Sequence, residues 1–436
     1  MGRKAATAAA SCWPKARRNK WPACAPATRD STSRNIWRRR VLEAAPARTA
    51  DLANRIKAHA RVLGFSACGI TTPEPPPHLS HFEKWLADGM HAGMHYLASA
   101  QARARRANTL LIPPRSQSII MLATNYYQGE PPTPQPAAPH AKVARYAWND
   151  DYHHTLLDRM HALHAFIEAA CGEPVAQRMY ADTGPLLERE LAQRAGLGWI
   201  GKNTMLIQPR AGSWTLLSEI LLAWPLPADQ PFVADRCGSC TRCIDACPTQ
   251  AILPDERRID SRRCISYLTI EERGAITAEL RPALQDWVFG CDICQDVCPW
   301  NERFAQATND AAFLARDPLP EPGLEALLLS SAAQFSETYK RSPLKRAKRS
   351  GLARNAAVAL GAQRAQAAQP ALVFALQHDD DAGVRAHAAW ALGQLGSAAS
   401  QLALQAALAS EQAEVVRGEI AAALQHCAAA AHTPTV

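Results

Sequence analysis

The chain has 436 residues, 47% of them hydrophobic, which is long enough for two or three domains with full cores. No apolar run approaches the length that spans a bilayer, so a helical membrane protein is excluded and a soluble one is expected. The net charge of +8 belongs to a tail: residues 1–50 carry twelve Lys or Arg and two acidic residues, which leaves about −2 on the rest.

The first segment, residues 1–49, mixes Ala, Pro and Arg without apolar periodicity, and we expect a disordered basic extension. Folded structure should begin near Asp51, where apolar residues recur at helical spacing. The elements predicted after it are strands at Ser118–Tyr127 and Ala176–Tyr180, a helix at Asn149–Ala170 and a helix from Pro185. Strands interleaved with helices predict an α/β domain over residues 50–225.

Residues Trp199–Trp224, at the end of this domain, alternate apolar and polar residues around Gly212, which predicts a β-hairpin. No G-x-G-x-x-G fingerprint follows a predicted strand and no P-loop is present. We therefore do not expect a dinucleotide bound in the Rossmann manner.

Eight of the thirteen cysteines fall between residues 237 and 298. The first run precedes Pro248 with the spacing C-x2-C-x2-C-x3-C and consists of Cys237, Cys240, Cys243 and Cys247. Two-cluster bacterial ferredoxins hold [4Fe–4S] clusters with this run. A second run precedes Pro299, and a single cysteine stands between the runs; these four are Cys264, Cys291, Cys294 and Cys298. The pattern predicts a ferredoxin-like module with two [4Fe–4S] clusters over residues 226–303.

The last cysteine of each run is expected to cross to the other cluster. One cluster is therefore assigned to Cys237, Cys240, Cys243 and Cys298. The other is assigned to Cys247, Cys264, Cys291 and Cys294. Disulfides or paired zinc sites are the alternatives, but disulfides need an oxidising compartment and zinc sites prefer two-plus-two ligand groups.

The C-terminal segments are helical. Residues 304–339 are interpreted as a helical linker, and an internal repeat follows within residues 340–436. Arg354–Gly361 recurs as Arg385–Gly393 after 31 residues, with a weaker copy from Arg417. Such a period predicts a HEAT-like all-α solenoid, which presents an extended binding surface.

Asp182 is the candidate acid. It follows a predicted strand and precedes a helix, where ligands of α/β sheets collect and where burial could raise a carboxyl pKa enough for proton donation. The alternative is that Asp182 only caps the following helix. Position along the sequence leaves both open.

Four stretches resemble the epoxyqueuosine reductase family: Tyr180–Pro185, Gly196–Thr204, Cys264–Glu271 and Cys298–Asn301. The resemblance runs from about residue 50 to the repeats. It implies a nitroreductase-like α/β domain that binds cobalamin against the ferredoxin module. The implied reaction reduces the epoxide of epoxyqueuosine to the alkene of queuosine at the wobble position of tRNAs for Tyr, His, Asn and Asp.

The resemblance also implies roles for single residues. Asp182 matches the family's proton donor, and the eight cysteines match its cluster ligands. Four residues fall in stretches similar to cobalamin-contacting segments: Arg105, Arg145, Asn203 and Ser266. Buried hydrogen bonding or surface charge would also explain each of the four. We expect the lower face of the cobalt to lack a His ligand, although His153 lies nearby in the sequence.

The chemistry of this reaction fits these parts. Conversion of an epoxide to an alkene needs a strongly reducing nucleophile, which cobalt(I) would supply, and an acid, which Asp182 would supply. The clusters would deliver electrons from an external donor of the flavodoxin or ferredoxin type. We expect a cytoplasmic monomer with no membrane association.

Charge predicts the tRNA contact. Six basic side chains within 340–349, together with Arg354 and Arg385, could meet phosphates. The alternative for Arg354 and Arg385 is a structural role in the solenoid.

Two rival functions stay open at this point. A reductive dehalogenase-like corrinoid iron–sulfur enzyme would share the cofactors, but it is expected to carry an export signal and no basic solenoid. A non-catalytic ferredoxin-type electron carrier would need no corrinoid and would leave the Asp182 segment unexplained.

Overall fold

The computed structural model describes residues 46–129, 139–254, 256–319 and 321–431. The predicted disordered extension at 1–49 lies outside these residues, except that its last residues belong to a helix that begins at Pro46, upstream of the expected Asp51. Within the described ranges, no helix combines the length and the apolar character needed to cross a membrane.

The first domain alternates helices and strands, as predicted. Its elements are α1 (Pro46–Val62), β1 (Ala67–Thr71), α2 (Leu79–Ala87), α3 (His95–Ala98), α4 (Ala100–Ala107), β2 (Ser118–Asn125), β3 (Lys142–Val143), α5 (Tyr152–Cys171), β4 (Gln177–Tyr180), α6 (Glu188–Arg194), β5 (Trp199–Ile200), β6 (Leu206–Ile207) and β7 (Thr215–Leu222).

The main sheet has the strand order β1-β2-β7-β4, and every neighbouring pair is antiparallel. Alternate residues of β2 serve opposite cores: Ile120 and Leu122 pack with α1 and α5, whereas Ile119 and Met121 pack with α6. The strand is therefore a continuous apolar run because helices cover both of its faces.

The predicted hairpin over Trp199–Trp224 is wrong. β5 pairs with β6, while β7 enters the main sheet between β2 and β4. The connection turns at Gly212, which has φ +73° and where a Cβ atom would lie 2.1 Å from Asn301 Oδ1. Asn301 Oδ1 also accepts a hydrogen bond from the Ser213 backbone N–H. Contact with a distant part of the chain therefore redirects this segment, which local alternation could not reveal.

The cysteine module follows with α7 (Arg242–Asp245), α8 (Ile265–Ile270), β8 (Trp287–Phe289), α9 (Ile293–Asp296) and α10 (Pro299–Phe304). Its strand β8 pairs in parallel with β3 of the first domain. Pro299 opens α10 directly after Cys298, a position that suits the fixed φ of proline.

Seven helices complete the described chain: α11 (Leu324–Leu329), α12 (Ala332–Thr338), α13 (Lys348–Ala362), α14 (Gln369–His378), α15 (Ala382–Leu395), α16 (Ala398–Ser410) and α17 (Glu414–Ala431). Equivalent glycines allow successive helices to approach closely. A Cβ atom at Gly361 would lie 2.6 Å from the Trp390 ring, and one at Gly393 would lie 2.8 Å from Ala423 Cβ. The repeat read from the sequence is therefore a repeat of helix contacts.

Candidate active site and cluster ligands

The first cysteine group comprises Cys237, Cys240, Cys243 and Cys298, and we call it the outer cysteine group. Its four members line one cavity of about 230 Å³, beside Lys202 and Trp300. Trp199 Nε1 donates a hydrogen bond to Cys237 Sγ at 3.5 Å, and Lys202 Nζ donates to the Cys240 carbonyl oxygen at 3.0 Å. Donors of this kind are the usual surroundings of a cluster sulfur.

The remaining four cysteines, Cys247, Cys264, Cys291 and Cys294, form the inner cysteine group. Burial raises the thiol pKa of Cys264, Cys291 and Cys294, and repulsion from other cysteines of the group raises it further. The Ala251 backbone N–H donates to Cys247 Sγ at 3.3 Å. The two groups are those assigned from the sequence, and the role of their members as ligands stays a prediction.

Four thiols packed together without a metal lower the stability of the folded chain. In the outer group, burial and the neighbouring cysteines raise the Cys243 pKa to about 11. Bound iron would offset this repulsion, because a metal takes the thiolate form and supplies positive charge. The donor set therefore fits a [4Fe–4S] cluster in each group.

Asp182 lies two residues beyond the end of β4, in a loop that leads to α6. Its φ of +61° is a left-handed conformation that Asp tolerates better than most residues. The side chain is 70% exposed, and its Oδ2 lies 3.9 Å from His153 Nε2. The burial expected from the sequence is absent, and the exposed carboxyl is instead accessible to a bound substrate.

A buried wall faces Asp182. Burial raises the pKa of Tyr146 and of Tyr152, and a negative charge on Asp182 raises both further. Burial and Asp182 together raise the pKa of Glu188 to about 8. Two buried atoms of this wall, His153 Nε2 and Glu188 Oε1, have no hydrogen-bond partner among the described residues.

The wall continues towards the inner cysteine group. Burial is the main cause that raises the pKa of Tyr126, and Asp292 and Cys294 contribute to it. Asp292 forms an ion pair with Arg145 at 3.3 Å, yet burial holds its pKa at about 7. Asp182 and the inner group thus border one region between the first domain and the cysteine module.

Two of the four predicted cobalamin contacts are buried in the interface between these parts. Arg145 is 4% exposed and also pairs with Asp296 at 2.7 Å. Asn203 Nδ2 donates to the Cys294 carbonyl oxygen at 3.3 Å. Arg105 and Ser266 are half-buried. Contact of any of the four with cobalamin stays a prediction.

Sequence reasoning missed the glutamates of the wall. Glu219 is completely buried in β7, and neither of its carboxyl oxygens has a partner among the described residues. A signal was available, because Glu219 is an acidic residue in the stretch Leu216–Leu222, whose other residues are apolar except Ser218. An acidic side chain inside a buried strand is rare unless it is paired or functional.

The basic residues of 340–349 fall into two classes. Arg341 pairs with Asp150, Arg346 with Glu271 and Arg349 with Asp379. In each pair, the acidic partner offsets the charge of an arginine that was predicted to contact phosphate. Lys340, Lys345 and Lys348 are exposed, and none of them forms an ion pair within the described residues.

Arg354 and Arg385 have structural roles. Arg354 is 4% exposed and donates to the carbonyl oxygens of Leu268, Glu272 and Gly274. Arg385 pairs with Glu411 at 2.7 Å. Of the two interpretations of these arginines, the structure supports the structural role and not the phosphate contact, since their guanidinium groups are already held by the protein.

Three family models match the chain: epoxyqueuosine reductase QueG over residues 106–183, a 4Fe-4S double cluster binding domain over 236–301, and HEAT repeats over 344–425. The chain therefore carries two [4Fe–4S] clusters and a HEAT-type repeat domain, as the sequence predicts.

Curated relatives agree with the family models. The epoxyqueuosine reductase of Xanthomonas campestris is 42% identical over 335 residues, which cover 76% of this chain and 93% of the relative. That of Pseudomonas aeruginosa is 42% identical over 318 residues, 72% of this chain and 87% of the relative.

A solved epoxyqueuosine reductase with an epoxyqueuosine-modified tRNA-Tyr stem loop is 28% identical, with a TM-score of 0.81 over 87% of this chain and 99% of that chain. Similarity therefore extends through the α/β domain, the cysteine module and the repeats. The chain belongs to the epoxyqueuosine reductase family.

Proposed function

We propose that this chain reduces epoxyqueuosine to queuosine at the wobble position of tRNAs for Tyr, His, Asn and Asp. The observation that carries the proposal is the placement of the exposed Asp182 carboxyl beside a buried wall that leads to the inner cysteine group. An acid and an electron supply thus border the same space, which a reductive removal of oxygen requires.

Cobalamin is the proposed cofactor of this space, and when bound it supplies the strongly reducing cobalt that opens the epoxide. The partnerless His153 Nε2 supports this proposal, because it leaves a buried polar atom beside Asp182 that a ligand with many polar groups could satisfy. Arg105 and Ser266 would contact the corrinoid. Arg145 and Asn203 would hold the cysteine module against the first domain, through Asp292 and Cys294.

Asp182 would protonate the oxygen that leaves the substrate. Its exposure and its place in a loop allow it to meet a bulky substrate, whereas a buried carboxyl could not. In a solved structure of the Bacillus subtilis epoxyqueuosine reductase, 28% identical with a TM-score of 0.80 over 86% of this chain and 99% of that chain, the catalytic aspartate loop is swung out of the active site. We infer that the Asp182 loop here moves in the same way.

Electrons would enter at the outer cysteine group. Residues 238, 239, 241 and 242 of its loop are exposed, so a small donor protein can approach it. The inner group, next to Tyr126 and Asp292, would then pass electrons to the substrate space. The donor is proposed to be of the flavodoxin or ferredoxin type.

The tRNA would be bound in part by Lys345 and Lys348, which stay exposed between the cysteine module and the repeats. We propose that the protein works as a cytoplasmic monomer, because its substrate is tRNA and one chain contains all the parts described. The dehalogenase and electron-carrier alternatives lose support, since the relatives are epoxyqueuosine reductases along most of their length.

The experiment is anaerobic reconstitution with iron, sulfide and cobalamin, followed by incubation with epoxyqueuosine-containing tRNA and a chemical reductant. Conversion to queuosine should require both cofactors. Clusters that assemble without corrinoid binding would favour the carrier, and corrinoid binding without conversion would favour a different reductive substrate.

A further inference from the structure

Two glutamates form a carboxyl pair beneath Asp182: Glu219 is completely buried, and Glu188 is half-buried with its Oε1 atom shielded from water. Glu219 lies opposite Tyr180 in the pairing of β7 with β4, and Tyr180 is two residues from Asp182. Glu188 is the first residue of α6, and its carboxyl lies within hydrogen-bonding reach of the Glu219 carboxyl. The order from surface to core is therefore Asp182, Glu188 and Glu219.

The pair is only partly compensated: the Asp182 backbone N–H donates a hydrogen bond to the Glu188 carboxyl, which offsets part of the rise in pKa that burial causes. Neither oxygen of Glu219 nor Oε1 of Glu188 accepts a hydrogen bond from any described residue. Asp182 and Glu188 are the charged groups that face Glu219. The groups that face Glu188 from the surrounding elements are Asp182, Arg189, Arg106, Tyr152 and Glu219.

Those arginines do not neutralise both carboxyls. Arg189 donates to the Thr204 carbonyl oxygen, and Arg106 is buried against the Phe82 ring. Two carboxylates in contact at a buried site cannot both ionise, because each disfavours the charge of the other and burial disfavours both. At least one proton therefore stays on the pair at neutral pH.

The proposed reaction consumes protons, and the proton held by the pair could supply one of them. Conversion of an epoxide to an alkene breaks two C–O bonds, forms the second bond of the C=C unit and releases the oxygen as water. Two electrons are consumed, which the external donor supplies through the clusters, and two protons are consumed with them. Asp182 holds one proton at a time, so it must be recharged once within each turnover.

We propose that Glu188 and Glu219 store a proton and pass it to Asp182 between the two protonations of the leaving oxygen. Both act through Asp182 and are positioning residues, and the inference rests on the proposed function. A tRNA seated over the exposed Asp182 carboxyl would cut it off from bulk water, so recharging comes from the protein side. Glu188 then regains its proton from Glu219. After product release, the pair takes up a new proton from bulk water.

The test compares Glu188→Gln, Glu219→Gln and the control Glu190→Gln. Glu190 is a buried glutamate of the same helix, but it accepts a hydrogen bond from the His78 backbone N–H at 3.4 Å. For each variant, kcat and KM for an epoxyqueuosine stem loop are measured against pH with excess reductant. Cluster absorbance and bound cobalamin report correct folding.

In the wild type, kcat should fall above about pH 8, because the Glu188 pKa is raised to about 8 and Glu188 then holds no proton to pass to Asp182. Either pair variant should lose at least about tenfold in kcat at neutral pH, with KM nearly unchanged and the fall above pH 8 removed. Glu190→Gln should keep the wild-type profile. Infrared spectra of the protein without substrate should show a protonated carboxyl that Glu219→Gln removes and Glu190→Gln retains.

A wild-type kcat and pH profile in both pair variants would overturn the relay while leaving the proposed function in place. If Glu219→Gln fails to load its cofactors, Glu188→Gln decides alone, because Glu188 is only half-buried at the start of its helix. A wild-type protein that loads both cofactors yet leaves the stem loop unchanged would overturn the proposed function and the relay together.

Discussion

The Asp182 region and the repeat domain treat charged side chains in opposite ways. Around Asp182, both carboxyl oxygens of Glu219 and Oε1 of Glu188 are shielded from water without a donor among the described residues. In the repeats, the guanidinium groups of Arg354 and Arg385 are saturated by carbonyl or carboxyl oxygens. Unpaired buried charge lowers stability and persists where chemistry needs it, whereas paired charge fixes how helices dock.

The largest loss of activity is expected from Cys294→Ser, which changes a member of the inner cysteine group. A serine hydroxyl is a much weaker ligand for cluster iron than a cysteine thiolate, so the inner cluster should be lost. Bound iron should fall from about eight to about four per chain, and turnover should fall below detection. Iron analysis and the stem-loop assay measure both. Cys171→Ser, which changes a cysteine outside the two groups, is the matched control, and equal losses in both variants would contradict the ligand assignment.

The next effect concerns the docking of the repeats. Arg354→Met should lower the free energy of unfolding by about 3 kcal/mol, since three buried carbonyl oxygens of the cysteine module lose their donor. Urea denaturation measures this loss. Arg364→Gln, at an exposed arginine after the same helix, should change stability by less than about 0.5 kcal/mol. An equally mild result for Arg354→Met would show that its hydrogen bonds are dispensable.

A third effect depends on pH. His387 is completely buried, its Nε2 accepts from the Ile276 N–H, and burial lowers its pKa to about 3. The unfolded chain binds this proton below about pH 6.5 and the folded chain does not. The contribution of His387 to stability is therefore full above pH 6.5 and declines by about 1.4 kcal/mol per unit as pH falls towards 3.

His387→Gln should remove this decline, which urea midpoints between pH 7 and pH 5 would detect. The same pH slope in wild type and variant would show that another group causes it. Loss of the slope in His387→Gln would show that a neutral buried histidine serves packing in the repeats. The carboxyls near Asp182, in contrast, are proposed to serve proton transfer.

The smallest effect is expected from the exposed lysines. The double substitution Lys345→Ala and Lys348→Ala should weaken tRNA binding by roughly 1 kcal/mol and reduce the dependence of affinity on salt. Fluorescence anisotropy at several salt concentrations measures both quantities. The ion-paired Arg346→Ala and Arg349→Ala serve as the matched pair, and a larger loss from that pair would place the tRNA contact at the arginines instead.

Local patterns predicted the parts whose structure depends on nearby residues. The cysteine spacing gave both clusters, and the recurrence of Leu360-Gly361 as Leu392-Gly393 gave the stacked helices, because the same contact is repeated. The strand Ser118–Asn125 was recognisable because it is apolar on both faces. Each of these signals is contained in a short stretch of chain.

Contacts between distant residues escaped prediction. The sequence around Gly212 does not show that Asn301 redirects it. A structural role for Arg354 and Arg385 was one of two interpretations, but their partners could not be named from the sequence. Asp182 was singled out by its position after a predicted strand and by resemblance, but neither revealed its exposure. Glu219 was overlooked because its significance depends on Glu188, which is 31 positions away.

The most direct measurement is a single turnover with protein that carries both clusters and cobalamin and has been reduced before mixing with an epoxyqueuosine stem loop. The wild type should form queuosine at once. Asp182→Asn should keep its cofactors and its electrons and form queuosine at least about a hundredfold more slowly. Queuosine formed by Asp182→Asn at the wild-type rate would contradict the claim that Asp182 is the acid of this site.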